Sequence, residues 1–182
     1  MEEIAMPRIA MIGAGSIVFC KTLMMDIMST EATADSTFVL MSPTAEKLKR
    51  LEAYAQRIVS ENGLPSTILA TTDRREALRD ADYVILMFQI GGVDAFQIDY
   101  EVPLKYGVDQ CIGDSMNPGG IFRSLRSIPV LVDIVKDMKE LCPNALILNY
   151  VNPMAVCCWT LGEAGATRFV GLCHGVQTTL DL

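Results

Sequence analysis

The sequence predicts an α/β fold of the Rossmann-like, doubly wound type, in which a mainly parallel sheet carries helices on both faces. Two observations predict this fold. Short apolar runs alternate along the chain with segments whose apolar residues recur at helical spacing. In addition, the first apolar run leads through a glycine turn directly into a predicted helix. We expect residues 1–182 to form one compact domain of this type.

The apolar runs define the expected strands of the sheet. Each run is four to eight residues long, and turn-forming residues or helical segments separate the runs. The predicted strands cover residues 8–13, 37–41, 66–71, 82–88, 145–149 and 168–172.

Helical spacing of apolar residues identifies three helices between these strands. The first covers residues 17–28, and the second covers residues 44–59 between Pro43 and Gly63, which suit a helix start and a helix end. A longer helix is predicted over residues 120–141, with a kink or break at Pro129. Residues 103–119 are rich in glycine and proline, so we expect an irregular connection of the kind that often binds ligands.

The charge balance narrows the class of ligand. The chain has 22 acidic and 15 basic residues, a formal net charge of −7, with the two signs interspersed. This pattern argues against a nucleic acid or an anionic membrane as a partner, so we expect a small molecule. No apolar run approaches the roughly 20 residues that span a bilayer, and no signal peptide is recognisable, which predicts a cytoplasmic protein.

The six cysteines show no CxxC spacing and fall mostly within apolar segments, which favours reduced thiols over disulfides. We expect Cys20, Cys142, Cys157 and Cys158 to pack in the core. Cys173 differs because it ends a predicted strand next to His174, the single histidine. A thiolate and an imidazole at one place are a candidate metal site.

The turn Gly13-Ala14-Gly15 follows a strand and precedes a helix, which is the context of a dinucleotide-binding turn. The motif is incomplete because Val18 stands where a third glycine would be, and a plain tight turn is the alternative. At the end of the second strand, Ser42 replaces the acidic residue that usually binds the ribose hydroxyls, so the sequence does not separate NAD from NADP. The alternative is that Ser42 has no role in cofactor binding and only caps the helix that begins at Pro43.

Further polar segments follow predicted strands and could converge on one pocket. Together with the glycine turn, these segments resemble the N-terminal part of glycoside hydrolase family 4, the NAD- and manganese-dependent glycosidases, and most closely its α-galactosidase and α-glucosidase members. The resemblance covers nearly the whole chain. The segments that carry it are residues 12–16, 88–92, 113–126 with Pro118-Gly119-Gly120, 149–153 and 171–174.

The resemblance implies a redox-assisted hydrolysis of α-galactosides or α-glucosides instead of the usual two-carboxylate route. In such an enzyme the sugar C3 hydroxyl gives a hydride to NAD, and the new ketone acidifies the C2 proton. Loss of this proton expels the substituent at C1, after which water adds and the hydride returns. A divalent metal such as Mn²⁺ assists as a Lewis acid.

The resemblance also implies roles for individual residues. The metal ligand is Cys173, the substrate contact is Asn152, and the catalytic residues are Asp114 near the base and His174 as the general acid. The residues assigned to the cofactor are Gly13, Gly15, Ser16, Ile17, Ser42, Gln89 and Asn149, the last at the nicotinamide edge. Each has a simpler alternative: Asn152 as a helix N-cap, Asp114 as a turn residue, and His174 as a surface histidine.

The sequence departs from the family pattern in two ways. Asn117 stands where many relatives have glycine before Pro-Gly-Gly, which could change the backbone of that loop. The family's second metal-binding histidine and its catalytic base fall after the position of Leu182, so we expect the isolated chain to be inactive. We also expect a homo-oligomer, with an apolar face that self-associates when the rest of the protein is missing.

Two other functions remain open at this point. One is a lactate- or malate-dehydrogenase-like oxidoreductase, which shares the nucleotide fold but needs no metal. The other is a non-catalytic nucleotide-binding module.

Overall fold

The computed structural model describes residues 6–15, 17–111 and 113–173. Strands and helices alternate along the chain, as the sequence predicts. The strands are β1 (Arg8–Ile12), β2 (Thr37–Met41), β3 (Thr67–Thr71), β4 (Tyr83–Leu86), β5 (Leu146–Asn149) and β6 (Phe169–Gly171). The helices are α1 (Ile17–Met28), α2 (Ala45–Asn62), α3 (Arg74–Leu78), α4 (Gly92–Leu104), α5 (Asn117–Leu141) and α6 (Met154–Glu163), with a short 3₁₀ turn at Glu31–Thr33.

The strands form one sheet in the order β3-β2-β1-β4-β5-β6. β1 pairs in parallel with both β2 and β4, and β2 pairs in parallel with β3. The direction of winding reverses at β1, which is the topological switch point of doubly wound folds. The predicted Rossmann-like α/β fold is therefore confirmed, and the six strands lie at the predicted positions within a few residues.

The chain divides into two compact units. Unit 1 comprises Met1–Phe88 and Asp137–Ile147. Its core is the apolar run of each central strand: residues 9–12, 38–41 and 84–86 are all buried. Continuous burial along a strand is typical of a parallel sheet that is covered on both faces.

Unit 2 comprises Gln89–Lys136 and Leu148–Leu182. It contains α4, most of α5, α6 and β6. Its interior contains several buried polar residues, namely Asp99, Gln110, Ser124, Ser127 and Asn149. Buried polar groups need hydrogen-bond partners, so these residues indicate where unit 2 is held together by specific polar contacts.

The predicted ends of α2 are nearly correct. The helix begins at Ala45 with Thr44 as its N-cap residue, and Gly63 ends it in a left-handed conformation with φ of 59°. A glycine in this conformation is the common way to end a helix, because it carries no Cβ.

Other helical predictions are correct only in part. α5 begins three residues earlier than predicted and continues through Pro129, so the helix is not broken there. Residue 103 was expected to start an irregular connection, but α4 includes Pro103 in its last turn. The helices α3, α4 and α6 were not predicted.

Among the described residues, no helix combines the length and the apolar character that crossing a bilayer requires.

Candidate functional site

The glycine turn lies in unit 1, between the end of β1 and the start of α1. The backbone N–H groups of Gly13 and Ala14 both donate to the Met41 carbonyl at the end of β2, at 3.0 and 2.9 Å. Gly13 has a φ of 97°, and a Cβ at this position would come within 2.8 Å of the Met87 carbonyl carbon and of Phe88. Only glycine fits here, because a side chain would meet both steric strain and the backbone after β4.

This turn fits the pyrophosphate of a dinucleotide. The amides of Gly13 and Ala14 are occupied by Met41, so the phosphate donors would come from the first turn of α1, where backbone N–H groups have no partner within the helix. That turn contains no acidic residue that would repel a phosphate. Ile17 is the first residue of α1, whereas Ser16 lies outside the described residues.

Ser42 lies directly beside the glycine turn. It is 4% exposed, and its Oγ accepts a hydrogen bond from the Thr44 backbone N–H at 3.3 Å. A Cβ on Gly15 would lie 2.9 Å from the same Oγ. Thr44 is the N-cap residue of α2 and makes no side-chain capping hydrogen bond, so Ser42 does not cap the helix but binds the backbone of its N-cap residue.

Gln89 lies in unit 2, in the segment before α4. Its side-chain Nε2 donates to the Gly92 carbonyl at 2.9 Å, and the residue is exposed. Gly91 is the N-cap residue of α4 and has a left-handed conformation. The hydrogen bond of Gln89 therefore holds the turn that starts this helix.

The second group of predicted residues forms a polar cluster in unit 2, which we call the Asp114 cluster; it consists of Asp114, Ser115, Arg123 and Asn152. The side-chain Nδ2 of Asn152 donates to Asp114 Oδ2 at 3.1 Å, and the Ser115 hydroxyl donates to Asp114 Oδ1 at 3.1 Å. The structure thus brings the predicted substrate contact and the predicted acidic residue into direct contact. Asn152 is not the N-cap of α6, since Pro153 occupies that position after a cis peptide bond.

Arg123, like Ser115, is a residue of this cluster to which the sequence assigned no role. Its Nε donates to the Asn152 carbonyl at 3.0 Å, and its Nη1 lies 3.6 Å from Asp114 Oδ2. Burial lowers the pKa of the Arg123 guanidinium, while the Asp114 carboxylate acts in the opposite direction. Arg123 therefore fixes both polar partners at once. The sequence feature that could have identified Arg123 is its position, about one helical turn after Pro118-Gly119-Gly120.

Asn117 explains how the chain tolerates the loss of a glycine in this loop. It has a φ of 65°, in the left-handed region. Asparagine adopts this conformation more readily than other residues with a Cβ. Asn117 thus takes up a conformation that suits glycine, and a change of the loop backbone relative to the family stays a prediction.

Asn149 is fully buried at the end of β5. Its Oδ1 accepts from the Val151 N–H at 3.2 Å, and its Nδ2 donates to the Val151 carbonyl, also at 3.2 Å. The backbone carbonyl of Asn149 accepts from the Leu172 N–H at 2.9 Å. The side chain thus holds the segment that leads to Asn152, and the main chain connects it to the segment that leads to Cys173.

Cys173 is exposed and follows β6 by two residues. The thiol is therefore not enclosed in the hydrophobic interior. Residue 174, the predicted general acid His174, lies outside the described residues. In the described ranges, no group of three or more His, Cys, Asp or Glu residues is placed to hold a metal ion. The residues described here do not make a complete site for Mn²⁺.

The four cysteines predicted to pack in the core lie wholly or partly inside the protein, whereas Cys111 is exposed. Cys20, Cys142 and Cys157 are buried, while Cys158 is partly buried. Burial raises the pKa of Cys20 and Cys157 from 9.0 to about 12 and that of Cys142 to about 11. Such thiols stay protonated at neutral pH and are poor nucleophiles and poor metal ligands.

Comparison with known proteins identifies relatives over most of the chain. A family model described as family 4 glycosyl hydrolase matches residues 8–182. An α-galactosidase from Rhizobium meliloti is 47% identical over 93% of this chain and 35% of its own length. An α-glucosidase from Erwinia rhapontici is 37% identical over 94% of this chain and 38% of its own length. The chain thus spans little more than a third of the length of these relatives.

Solved structures agree with this result. A 6-phospho-β-glucosidase from Thermotoga maritima, with manganese, NAD⁺ and glucose-6-phosphate, superposes with a TM-score of 0.84 at 26% identity, over 96% of this chain and 42% of that one. A malate dehydrogenase from Plasmodium falciparum superposes with a TM-score of 0.65 but only 12% identity. The second likeness shows a shared fold and supports no shared reaction.

Proposed function

Because this chain belongs to family 4 of the glycosyl hydrolases, we propose that it is the N-terminal, dinucleotide-binding part of a glycosidase. The substrates of the whole protein are α-galactosides or α-glucosides, in line with the α-galactosidase and α-glucosidase relatives. The observation that carries the proposal is the glycine turn of unit 1 in a chain that matches this family from residue 8 onwards. The chain spans 35–38% of these relatives, so the activity is that of a longer protein.

In this proposal the turn at Gly13 and Gly15, together with Ser16 and with Ile17 as the first residue of α1, binds the pyrophosphate of NAD. Ser42 lies next to the adenosine ribose, and Gln89 and Asn149 position the segments that border the cofactor. NAD, when bound, supplies the acceptor for a hydride from the sugar. The protein contributes binding and orientation, while the redox chemistry belongs to the cofactor.

The Asp114 cluster is the proposed substrate-binding element of unit 2. Asn152 carries an amide that is able to donate to and accept from sugar hydroxyls. Asp114 orients this amide through the 3.1 Å hydrogen bond, and Arg123 contacts both residues, at the Asn152 carbonyl and at the Asp114 carboxylate. The cluster therefore presents a preorganised polar surface, as binding of a polar ligand requires.

Cys173 is the proposed metal ligand and His174 the proposed general acid. The exposed thiol of Cys173 supports the first assignment, because a metal ligand must be accessible. One thiolate is not enough to hold a divalent ion firmly, so the remaining ligands have to come from the rest of a full-length protein. We therefore propose that this chain alone is inactive.

We also propose a cytoplasmic location and a homo-oligomeric assembly. None of the six cysteines forms a disulfide, which fits a reducing compartment. Apolar side chains exposed on α4 and α5 support assembly with further protein surface.

The test is release of nitrophenol from α-galactoside and α-glucoside substrates in the presence of NAD, Mn²⁺ and a reductant. We expect release by a full-length protein that contains this chain and none by the chain itself. Replacing Asn152 by Ala in the full-length protein should raise KM, because a sugar contact is lost. Failure of the full-length protein on every glycoside tried would contradict the glycosidase assignment, and activity of the chain alone would contradict its incompleteness.

A further inference from the structure

We infer that the dinucleotide site of unit 1 accepts NADP at least as well as NAD. The inference rests on the proposed function, since it assumes that the glycine turn binds a dinucleotide. It concerns the group that distinguishes the two cofactors, the phosphate on the 2′ oxygen of the adenosine ribose. The residues that carry it are Ser42, Gly15 and Lys47, all of unit 1.

The end of β2 lacks the group that selects NAD. Sites for NAD place an Asp or Glu there, which binds the ribose 2′-hydroxyl and repels a 2′-phosphate. Here the residues from the end of β2 to the start of α2 are Met41, Ser42, Pro43, Thr44 and Ala45, and none of them is acidic. Repulsion of a 2′-phosphate from this segment is therefore absent.

The first acidic residue after β2 is Glu46, and it is already paired. Its Oε1 lies 2.5 Å from Arg50 Nη2, and both side chains are largely exposed to solvent. Its charge is thus compensated by a cation on the same helix and screened by water. Glu46 does not replace the missing carboxylate at the ribose.

Ser42 holds its hydroxyl against the turn that would carry the cofactor. A Cβ on Gly15 would lie 2.9 Å from Ser42 Oγ, so the hydroxyl occupies the space that the glycine leaves open. The Oγ accepts one hydrogen bond, from the Thr44 N–H at 3.3 Å. A serine hydroxyl that accepts one bond still has its own proton to donate. A phosphate oxygen is a strong acceptor for that proton.

Lys47 supplies a positive charge at the same place. It lies in the first turn of α2, is exposed, and its Cδ lies 3.9 Å from the position of a Gly15 Cβ. No ion pair of Lys47 exists within the described part of the chain. A lysine without a carboxylate partner is available to a phosphate, for which it is a common ligand.

The combination of a hydroxyl donor, an available ammonium group and no carboxylate matches a 2′-phosphate. An NAD ribose would gain one hydrogen bond from Ser42 but no charge–charge interaction with Lys47. A 2′-phosphate would gain the same hydrogen bond and a charge interaction in addition. The geometry therefore favours binding of the phosphorylated dinucleotide. Where solvent screens the charge of Lys47, the affinities for NADP and NAD become equal.

The experiment is titration calorimetry of the protein with NAD and with NADP at low and at moderate salt. We expect NADP to bind at least as tightly as NAD, with the advantage of NADP falling as salt rises. Replacing Ser42 by Asp should weaken NADP binding by about tenfold or more, because it places two negative charges together, while NAD binding is kept or improved. Replacing Lys47 by Gln should weaken NADP binding about threefold and leave NAD binding unchanged.

Arg57→Gln is the matched control. Arg57 is an exposed cation on α2, ten residues further along the helix, so its removal changes the net charge equally but far from the turn. It should leave the binding of both dinucleotides unchanged. Because Ser42 is buried, the Ser42→Asp protein is first checked by circular dichroism, and Lys47→Gln provides the same test at an exposed position.

Each outcome decides a different point. Binding of NAD about tenfold tighter than NADP by the unsubstituted protein would overturn this inference and leave the proposed function intact. So would a Lys47→Gln protein whose preference between the two cofactors is unchanged at low salt. Binding of neither dinucleotide would instead refute the dinucleotide site itself, and the inference would fall with it.

Discussion

At the scale of single residues, the predicted site residues differ in what their side chains can do. Asp114 and Asn152 are partly exposed and bind each other, so they are accessible to a ligand and already oriented. Asn149 is fully buried, and both ends of its amide bind Val151. Its side chain therefore acts by shaping the segment before Asn152. Contact of Asn149 with nicotinamide is still a prediction.

The close approach at Gly13 leads to a prediction on stability. Replacing Gly13 by Ala should lower the free energy of unfolding by about 2–4 kcal/mol, because strain at positive φ adds to a clash with Met87 and Phe88. Gly63→Ala is the control, since Gly63 also has a positive φ but open space around it, and should cost about 1 kcal/mol. Urea unfolding of the two variants measures the difference. Equal losses would show that the clash at Gly13 is relieved by small movements.

At the scale of elements, one ion pair joins two helices of unit 2. Asp99 on α4 is 3% exposed, and both of its carboxylate oxygens accept from the guanidinium of Arg126 on α5. The contact between Arg126 Nη1 and Asp99 Oδ1 is 2.9 Å. A buried carboxylate of this kind is costly without its partner, so the pair fixes how α4 lies on α5.

Loss of this arginine should therefore destabilise the protein strongly. We expect Arg126→Met to lower the free energy of unfolding by about 2–4 kcal/mol, because it leaves the Asp99 carboxylate buried and unpaired. Arg50→Met is the matched control: Arg50 pairs with the exposed Glu46, and its loss should cost about 0.5 kcal/mol or less. The measurement is urea unfolding of both variants. A double variant Asp99→Asn, Arg126→Met that recovers most of the lost stability would support the explanation, and a loss of equal size in both arginine variants would refute it.

The strands could be predicted from the sequence, whereas several helices could not. A buried parallel strand is a continuous apolar run and is visible without knowledge of its neighbours. α6 has the sequence MAVCCWTLGE, whose single charged residue leaves no polar face, so helical periodicity is absent. α4 reverses the usual pattern, since it buries Asp99 and leaves Val93 and Ile98 76% and 61% exposed. α3 has only five residues, too few to show a period.

The site was predictable to a similar extent. The glycine turn was found because strand, turn and helix follow each other in sequence. Asp114 and Asn152 were found through their resemblance to a known family, and the structure adds that they touch. The role of Arg123 depends on a contact with a residue 29 positions away, which no local pattern shows. The position of Ser42 against Gly15 likewise depends on the pairing of β1 with β2.

At the scale of the whole molecule, the chain is a Rossmann-like sheet whose second unit exposes much apolar surface. The residues concerned lie on α4, on α5 and in the connection between them, and they include Val93, Ile98, Tyr106, Ile121 and Leu125, all more than 60% exposed. Exposed apolar residues close to each other along two helices are unusual for a monomer that works alone. The relatives are more than twice as long as this chain, which offers a source of covering surface.

The isolated chain should therefore self-associate or bind a hydrophobic dye. We expect light scattering to report species larger than the 19.9 kDa monomer and expect dye fluorescence to rise on addition of the chain. Replacing Ile98 and Leu125 by Gln should reduce both the light scattering and the dye fluorescence. These positions are chosen because they are exposed, since the same replacement at a buried core residue would unfold the protein. A clean monomer with no dye signal would contradict this expectation.

Gly171 in β6 has a consequence for the evolution of this protein. A Cβ there would collide with the Met154 sulfur and would come within 2.7 Å of the Cys158 sulfur, both on α6. β6 and α6 thus pack closely because Gly171 has no Cβ and the two sulfur atoms occupy the space beside it. A side chain at position 171 requires the side chains of Met154 and Cys158 to move or to change, so we expect these three sites to covary among relatives. Redesign of the segment that leads to Cys173 should therefore begin with Met154 and Cys158 on α6.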